Sequence, residues 1–526
     1  MTRNIVQMLH LPHFPKIYNT YFVAMIATVG GALFGFDISS ISAIIGTDQY
    51  MLFFDNPKGT RQGAIGSALA AGSVFGSIIS GPVSDYLGRR DAIMFGCLWW
   101  LAGTGIQVGV KGFGTLMTGR MLNGVCVGIA SSQVPVYLAE ISKKEKRGSI
   151  LCLQQLAIEL GILIMYFIGY GCKFIPGPAS FRTAWGLQYV PCVFLMMGLP
   201  FLPRSPRWLA KVGRNEEAIE ILARCQAKGN VDDPLVQAEW NEIITTLEIE
   251  RAAEPGIKKF FKNGMWKRTL AGFSVQSWQQ LSGANVMTYY VVYVFQMAGL
   301  TGNINLTSSG IQYALFIVFT FIMLLFIDKM SRRHVLIYGA LGMAACHFVV
   351  GGILSAAIDV SDGVGGNPNV TMKVTGAKSH TVIAFCYLLV IVYALTLAPV
   401  AWVYAAEVWS LETRATGMGV SATGNWLFNF ALGFFVPPAF LNIKYKIFIV
   451  FGVLCVVAAL QAFLTYPETC GKSIEEVEEL FKPGAPWPWK TKVGHSHLDQ
   501  VVEQVKEKGG ISGGSVTNVE DVEKSP

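Results

Sequence analysis

Charge is scarce in this chain. Asp, Glu, Lys and Arg make up only 14% of its 526 residues, against about 25% in an ordinary soluble domain. A surface so poor in charge excludes a soluble multidomain enzyme. Metal-binding patterns are missing as well. The ten cysteines are scattered, mostly inside apolar runs, with no C-x-x-C among them. Neither a zinc site nor a disulfide framework follows, and they read as small core hydrophobes. None of the seven histidines forms the H-E-x-x-H of a zinc enzyme. Gly471-Lys-Ser473 lacks the glycine that a phosphate loop needs five residues earlier, where Tyr466 stands. That removes an ATP-driven pump. No selectivity element of a channel is visible, and no basic stripe is interleaved with aromatics as nucleic-acid binding would need.

What is abundant is apolar length. Apolar residues are 52% of the chain, and they arrive in runs of roughly 20, enough to cross a bilayer core. Thr381–Ala406 and Ile447–Tyr466 are examples. Successive runs start near Tyr21, Ala64, Ala92, Thr115, Ser149 and Ala184, and again near Thr269, Ser308, Val335, Thr381, Ala415 and Lys444. The first lacks a small-residue cleavage site, so it reads as a retained helix and not a signal peptide. Twelve spans place both termini on one side. Most of the 41 Lys and Arg also fall on that side, which predicts it to be cytoplasmic. The net charge of +7 is then a matter of topology, with no acidic partner required.

The polar stretch Arg204–Arg268 contains Asn215, Glu216 and Glu217 ahead of Ala218, Ile219, Ile221 and Leu222, the pattern of a capped amphipathic helix. A second such helix is expected over Leu235–Glu250. Together they make a small cytoplasmic helical layer and no independent domain.

An internal repeat is more informative. Asp85-Tyr-Leu-Gly-Arg-Arg90 is echoed by Asp328-Lys-Met-Ser-Arg-Arg333. Val136-Tyr-Leu-Ala-Glu140 with Arg147 is echoed by Val403-Tyr-Ala-Ala-Glu407 with Arg414 at the same spacing, and Pro203-Arg-Ser-Pro206 is answered by Pro467-Glu-Thr-Cys470. Three pairs in one order predict two homologous six-helix halves, residues 1–203 and 269–466. A linker at 204–268 joins them, and a tail at 467–526 follows, disordered toward its end. Substrate between parallel halves near the midplane is transporter architecture. The fold class expected is an all-α polytopic membrane protein of twelve helices.

These marks resemble the sugar-porter family of the major facilitator superfamily, particularly its fungal monosaccharide carriers, from about Tyr21 to Glu479. The matching stretches are Gly30-Gly-Ala-Leu-Phe-Gly-Phe-Asp37, the Asp85–Arg90 loop, Pro135-Val-Tyr-Leu-Ala-Glu140 with Arg147-Gly148, Gln279-Gln-Leu-Ser-Gly-Ala-Asn285, and Pro467-Glu-Thr469 with Glu475-Glu476. There are departures. Arg204 stands where the family has the glutamate of P-E-S-P-R, and Ser331 replaces the glycine of the second G-R-R. Helix ten reads Ala398-Pro-Val-Ala-Trp402, and Ala394 stands where animal glucose facilitators carry a glutamate that contacts sugar.

A sugar offers hydroxyls that donate and accept, and amides answer both without a charge to desolvate. Gln155, Gln279, Gln280, Asn285 and Asn425 fit; Gln279 and Gln280 stand six and five residues before Asn285, so their convergence needs an unwound or kinked stretch, which Gly283 permits. The resemblance implies that all five touch sugar, with Trp402 and Trp426 as aromatic walls and Phe34 and Tyr289 nearby. Interhelical hydrogen bonding is the competing role for such amides. Asp37 is an acid inside an apolar run, costly there and by default functional. The resemblance makes Arg120 its partner and the pair a proton switch; a permanent structural pair is the alternative. Glu159, one helical turn after Gln155, is a second candidate for the proton, a sugar acceptor, or a buried structural acid. By resemblance, Asp85, Arg89, Glu140, Arg147, Asp328, Arg332, Glu407 and Arg414 latch the halves on the cytoplasmic side. Asn369-Val-Thr371, and less so Asn305-Leu-Thr307, match the glycosylation acceptor pattern.

The function implied is plasma-membrane uptake of a monosaccharide, glucose or another hexose with xylose as a second substrate, by proton symport. A proton-independent facilitator and a non-transporting sugar sensor are the alternatives. The proton is the coupling ion. No metal, other cofactor, nucleic acid or obligate protein partner is expected.

Overall fold

The computed structural model describes residues 15–493 except 43, 46, 56, 58, 144–145, 253–259, 262–264, 361–362, 366, 410–412, 473, 483 and 492. The expected disorder at the end of the tail lies outside these residues, as does the side chain of Glu475. Among the described residues, twelve long helical stretches make the body. The first six are α1 (Thr20–Ser42), α2 (Gly59–Leu87), α3 (Arg89–Val108), α4 (Phe113–Ile141), α5 (Arg147–Cys172) and α6 (Ala179–Phe201). α7 runs over Met265–Leu281 and continues, after a break, as Ala284–Tyr289 and Val291–Met297. Then come α8 (Gly302–Phe326), α9 (Arg332–Leu354), α10 (Ala377–Val408), α11 (Arg414–Asn442) and α12 (Lys446–Thr465).

Among the described residues, nine of these stretches are long and apolar enough on their own to span a membrane. The exceptions are α3, which opens on Arg89, Arg90 and Asp91, α7, which is broken, and α11, which is rich in Gly, Ser, Thr and Asn. α4 is enclosed by its neighbours, with every residue from Asn123 to Ile141 buried. Exposed apolar side chains such as Phe75, Ile78, Phe167, Val190 and Phe321 look outward from the bundle, where acyl chains replace water.

Small residues let helices touch. A Cβ at Gly72 would lie 1.9 Å from the Met121 carbonyl oxygen, and one at Gly124 would lie 2.1 Å from that of Leu69. α2 and α4 therefore meet backbone to backbone. Two seams join the first six helices to the second six. Along α2 and α11, a Cβ at Gly63 would sit 3.0 Å from the Gly433 carbonyl at one end, and one at Gly419 would sit 2.9 Å from the Ser77 carbonyl toward the other. Along α5 and α8, the Tyr166 hydroxyl donates to the Leu306 carbonyl (2.9 Å), while Ser149 bonds Asp328 at the opposite end. Both seams are in contact at both ends.

The described chain ends share one end of the bundle: the Ile17 amide bonds the Phe201 carbonyl (3.0 Å), and the Glu468 amide bonds Thr491 Oγ1 (2.9 Å). On that side Pro206–Lys211, Asn215–Gln226 and Pro234–Ala252 form a helical layer, whose core of Trp208, Leu209, Leu222, Val236 and Ile243 is separate from that of the bundle. Asn215 proves to be the first helical residue, with Arg214 in the cap position and no side-chain capping bond. Glu216 and Glu217 lie in the first turn, where carboxylates suit the helix dipole. Between α9 and α10 a short antiparallel ribbon, β1 (Ile358–Asp359) with β2 (Met372–Lys373), pairs Ile358 with Lys373.

Candidate functional site

α7 and α11 share a lattice of amides. Gln280 Nε2 donates to Asn425 Oδ1 (2.8 Å), and Asn425 Nδ2 donates to Gln276 Oε1 (2.6 Å) and Gln279 Oε1 (2.7 Å). Gln280 Oε1 accepts from Asn429 Nδ2 (3.2 Å) and from Asn285 Nδ2. Tyr289 extends the chain through its hydroxyl to Asn429 Oδ1 (3.4 Å). The lattice exists because α7 breaks between Leu281 and Ala284. Gly283 there takes φ +79°, a conformation only glycine adopts cheaply, and the turn brings Asn285 back onto Gln280. Gln279 is also tied to α10 by Nε2 donating to the Ala398 carbonyl (2.8 Å).

Gln276 and Asn429 were not anticipated. Their signal was helical spacing: Gln276 lies three residues before Gln279, and Asn429 four after Asn425, on the same faces.

Trp426 is buried and donates Nε1 to Ser131 Oγ on α4 (3.1 Å), with Phe34 of α1 edge-on to its ring at 4.6 Å. Trp402 is buried on α10. Gln155 is not in the lattice. Its Nε2 donates to Glu159 Oε1 (2.9 Å), which also accepts from the Thr320 hydroxyl of α8 (2.7 Å). Glu159 is 1% exposed, and its Oε2 has no hydrogen-bond partner among the described residues. Asp37 and Arg120 meet as expected, Oδ2 to Nη2 at 3.0 Å, both side chains wholly buried. Arg120 also reaches Ser40 Oγ (3.5 Å).

The charges at the terminus-bearing end form two similar knots. Arg89 pairs with Glu140 (3.1 Å) and Asp85 (3.3 Å), and Ser205 bonds the same Glu140 carboxylate. Arg332 pairs with Glu407 (3.3 Å), whose other oxygen accepts from Thr469 (2.7 Å). Glu468 accepts from the backbone amides of Arg332 (2.9 Å) and Cys470 (2.9 Å) and from Ser331 Oγ. Asp328 reaches across the seam to α5, accepting from the Ser149 amide (3.1 Å) and hydroxyl. Gly148 makes room for it, since a Cβ there would lie 2.3 Å from the Asp328 carboxylate. Arg147 and Arg414 open α5 and α11, and Arg414 is buried. Arg204, the departure from the family pattern, bonds Asp91 (2.9 Å) and lies over Trp208.

The asparagines of both sequons lie buried in the folded chain. Asn369 has no exposed surface, and its Oδ1 accepts from the Gly59 amide (3.2 Å). Asn305 is 2% exposed, with Nδ2 given to the Val292 carbonyl (3.0 Å). A glycan needs that nitrogen at the surface.

A membrane bundle of twelve helices, holding an amide lattice and a buried ion pair among its spans, has the build of a transporter of the major facilitator type. The profile of the family described as "Sugar (and other) transporter" matches residues 23–481, and the chain belongs to that family. It is 41% identical over 514 residues to a high-affinity glucose transporter of Kluyveromyces lactis, covering 97% of this chain and 93% of that one. It is 42% identical over 489 residues to high-affinity glucose transporter 1 of Candida albicans, covering 92% and 89%. The fold is similar to that of the proton:xylose symporter XylE bound to 6-bromo-6-deoxy-D-glucose, with a TM-score of 0.75 at 24% identity over 88% of this chain and 99% of that one. The protein is a multi-pass membrane transporter, not an enzyme.

Proposed function

We propose that this transporter carries a monosaccharide, glucose foremost and xylose as a second substrate, into the cell by proton symport. Residues 1–203 and 269–466 rock against each other as halves, with the linker 204–268 and the tail on the cytoplasmic side of the plasma membrane. The observation that carries the reading is the amide lattice. Gln279, Gln280, Asn285 and Asn425 present donors and acceptors in orientations fixed by one another, which suits a ring of hydroxyls. Gln155, Trp402, Trp426, Phe34 and Tyr289 complete the sugar's surroundings. The names of the fungal relatives support glucose.

Asp37 is the proton site in this reading. An ionised acid buried in a span is held by its arginine; protonation removes the negative charge and releases Arg120, so a proton and a sugar together permit the change of state. Glu159 is the second candidate for that proton. The charge knots and the Asp328–Ser149 contact hold the cytoplasmic side closed and part when the carrier opens inward. No cofactor other than the proton enters this mechanism. The complete burial of both members of the Asp37–Arg120 pair favours one competitor, a facilitator in which the pair is permanent.

The test is uptake of a labelled sugar panel in cells without carriers of their own, with and without a protonophore. Accumulation of glucose that the protonophore abolishes is expected. Equilibration that ignores the protonophore would establish the facilitator, and no uptake at all would leave a sensor.

A further inference from the structure

A helix that breaks must find partners for the carbonyls it releases. In α7 the Val286 amide bonds the Gly283 carbonyl (3.0 Å), so the Ser282 carbonyl is left out of the helical ladder. Two neighbouring helices take it. His347 of α9 places Nε2 2.8 Å from the Ser282 oxygen, and Cys455 of α12 places its thiol 3.5 Å away. His347 is 1% exposed, and its ring packs on Phe451 and Phe448 with centroids 5.7 and 6.2 Å apart. The fit extends to the break itself. A Cβ at Gly283 would lie 2.7 Å from the Phe451 ring and 3.0 Å from His347 Nε2. A carbonyl can only accept, so the ring carries its proton on Nε2.

We propose that His347 is a positioning residue that holds α7 in its broken form and thereby sets where Asn285 and Tyr289 stand relative to Gln279 and Gln280. Without the imidazole donor the Ser282 carbonyl keeps only the weak donor of the Cys455 thiol, and the strong donor that can replace the imidazole is the Val286 amide, its regular helical mate. Making that bond straightens α7 and draws Asn285 away from Gln280 Oε1, to which it now donates. Sugar would then meet a lattice with one corner displaced. The inference rests on the reading of α7 as a sugar-binding helix, although the hinge itself does not depend on it.

His347→Phe and His347→Gln, in the full chain, separate a donor from a space-filler. Phenylalanine keeps the ring's volume and loses the hydrogen bond; glutamine gives up the ring and keeps an N–H within reach of the carbonyl. With surface delivery measured, H347F should raise the KM for labelled glucose about tenfold, the size of a lost buried hydrogen bond, while H347Q should stay within about twofold of the parent. A residue that only fills space predicts the reverse order, and that order, or a parental KM in H347F, overturns the proposal. Backbone amide exchange in the purified protein supplies a readout that needs no sugar. Amides 284 and 285, which lack a backbone partner at the break, should exchange more slowly in H347F, as the straightened helix pairs them, and at the parental rate in H347Q. Unchanged exchange in H347F would also overturn it. A parent that carries no glucose would instead fail the transport reading, and the exchange result would still decide the hinge.

Discussion

Gln280 is the hub of the amide lattice, donating to Asn425 and accepting from Asn285 and Asn429. Gln280→Ala should reach the cell surface yet bind sugar more weakly by about 1–3 kcal/mol, since a buried hydroxyl and three amides lose a partner together. A parental transport affinity in the delivered mutant would remove Gln280 from the site. Asp37→Asn keeps the shape and removes the titratable group. It should abolish accumulation and the rise of transport toward acidic external pH, while sugar still exchanges across the membrane. If accumulation survives in that mutant, Glu159→Gln is the next variant to measure. At this level the sequence was a good guide to chemistry and a poor one to burial. The acid was found because charge is conspicuous in an apolar run, and its arginine through the family resemblance. Gln276 and Asn429 passed unnoticed although they lie on the same helical faces as their neighbours. Asn369 looked exposed because its loop is polar, but loop composition says nothing about which asparagine turns inward to the Gly59 amide.

Helices were legible where a signal is local. The twelve apolar runs begin within a few residues of the observed helices, because span length and composition are set by the bilayer itself. The break in α7 was written in Gly283. A second break, at Thr396 in α10, carries no glycine. Two things account for it. Pro399 cannot donate to the Leu395 carbonyl and is tolerated only in a first turn, and Gly339 of α9 lies so close that a Cβ there would sit 2.3 Å from the Thr396 hydroxyl. The second of these belongs to tertiary packing, and so does the pairing of β1 with β2. The contact of α2 with α4 gives the sharpest prediction about helices. Gly124→Leu must displace the Leu69 backbone, which no side-chain rotation can achieve. It should abolish surface delivery, and in purified protein lower the melting temperature well below that of Gly112→Ala, a site with no neighbour within 4 Å of the added atom. Equal melting temperatures would show that α2 and α4 are free to move apart.

For the transporter as a unit, the proposed proton symport sets the energetic limit at the proton gradient. One charge moving through 100 mV supplies about 2.3 kcal/mol, enough for roughly a fifty-fold sugar gradient. Cells expressing the protein should therefore accumulate a non-metabolised glucose analogue well above equilibrium at acidic external pH, and lose that store on addition of a protonophore. The Asp328 contact with Ser149 gives a second handle. Asp328→Asn weakens an acceptor shared by two donors at the start of α5; it should shift the carrier toward its inward-open form, raising access of a thiol reagent to a cysteine introduced on the cytoplasmic side of the seam. Unchanged labelling would mean that this contact does not hold the seam.

The seams of α2 with α11 and α5 with α8 touch at both ends at once. A protein built that way has turnover and no conductance. Flux must saturate, because each crossing separates one pair of contacts and restores the other. Unlabelled sugar waiting on the far side should speed the exit of labelled sugar, since a loaded carrier can return without first resetting empty. Such countertransport, measured as a transient overshoot, is the kinetic form of two seams whose ends are closed together and open one end at a time.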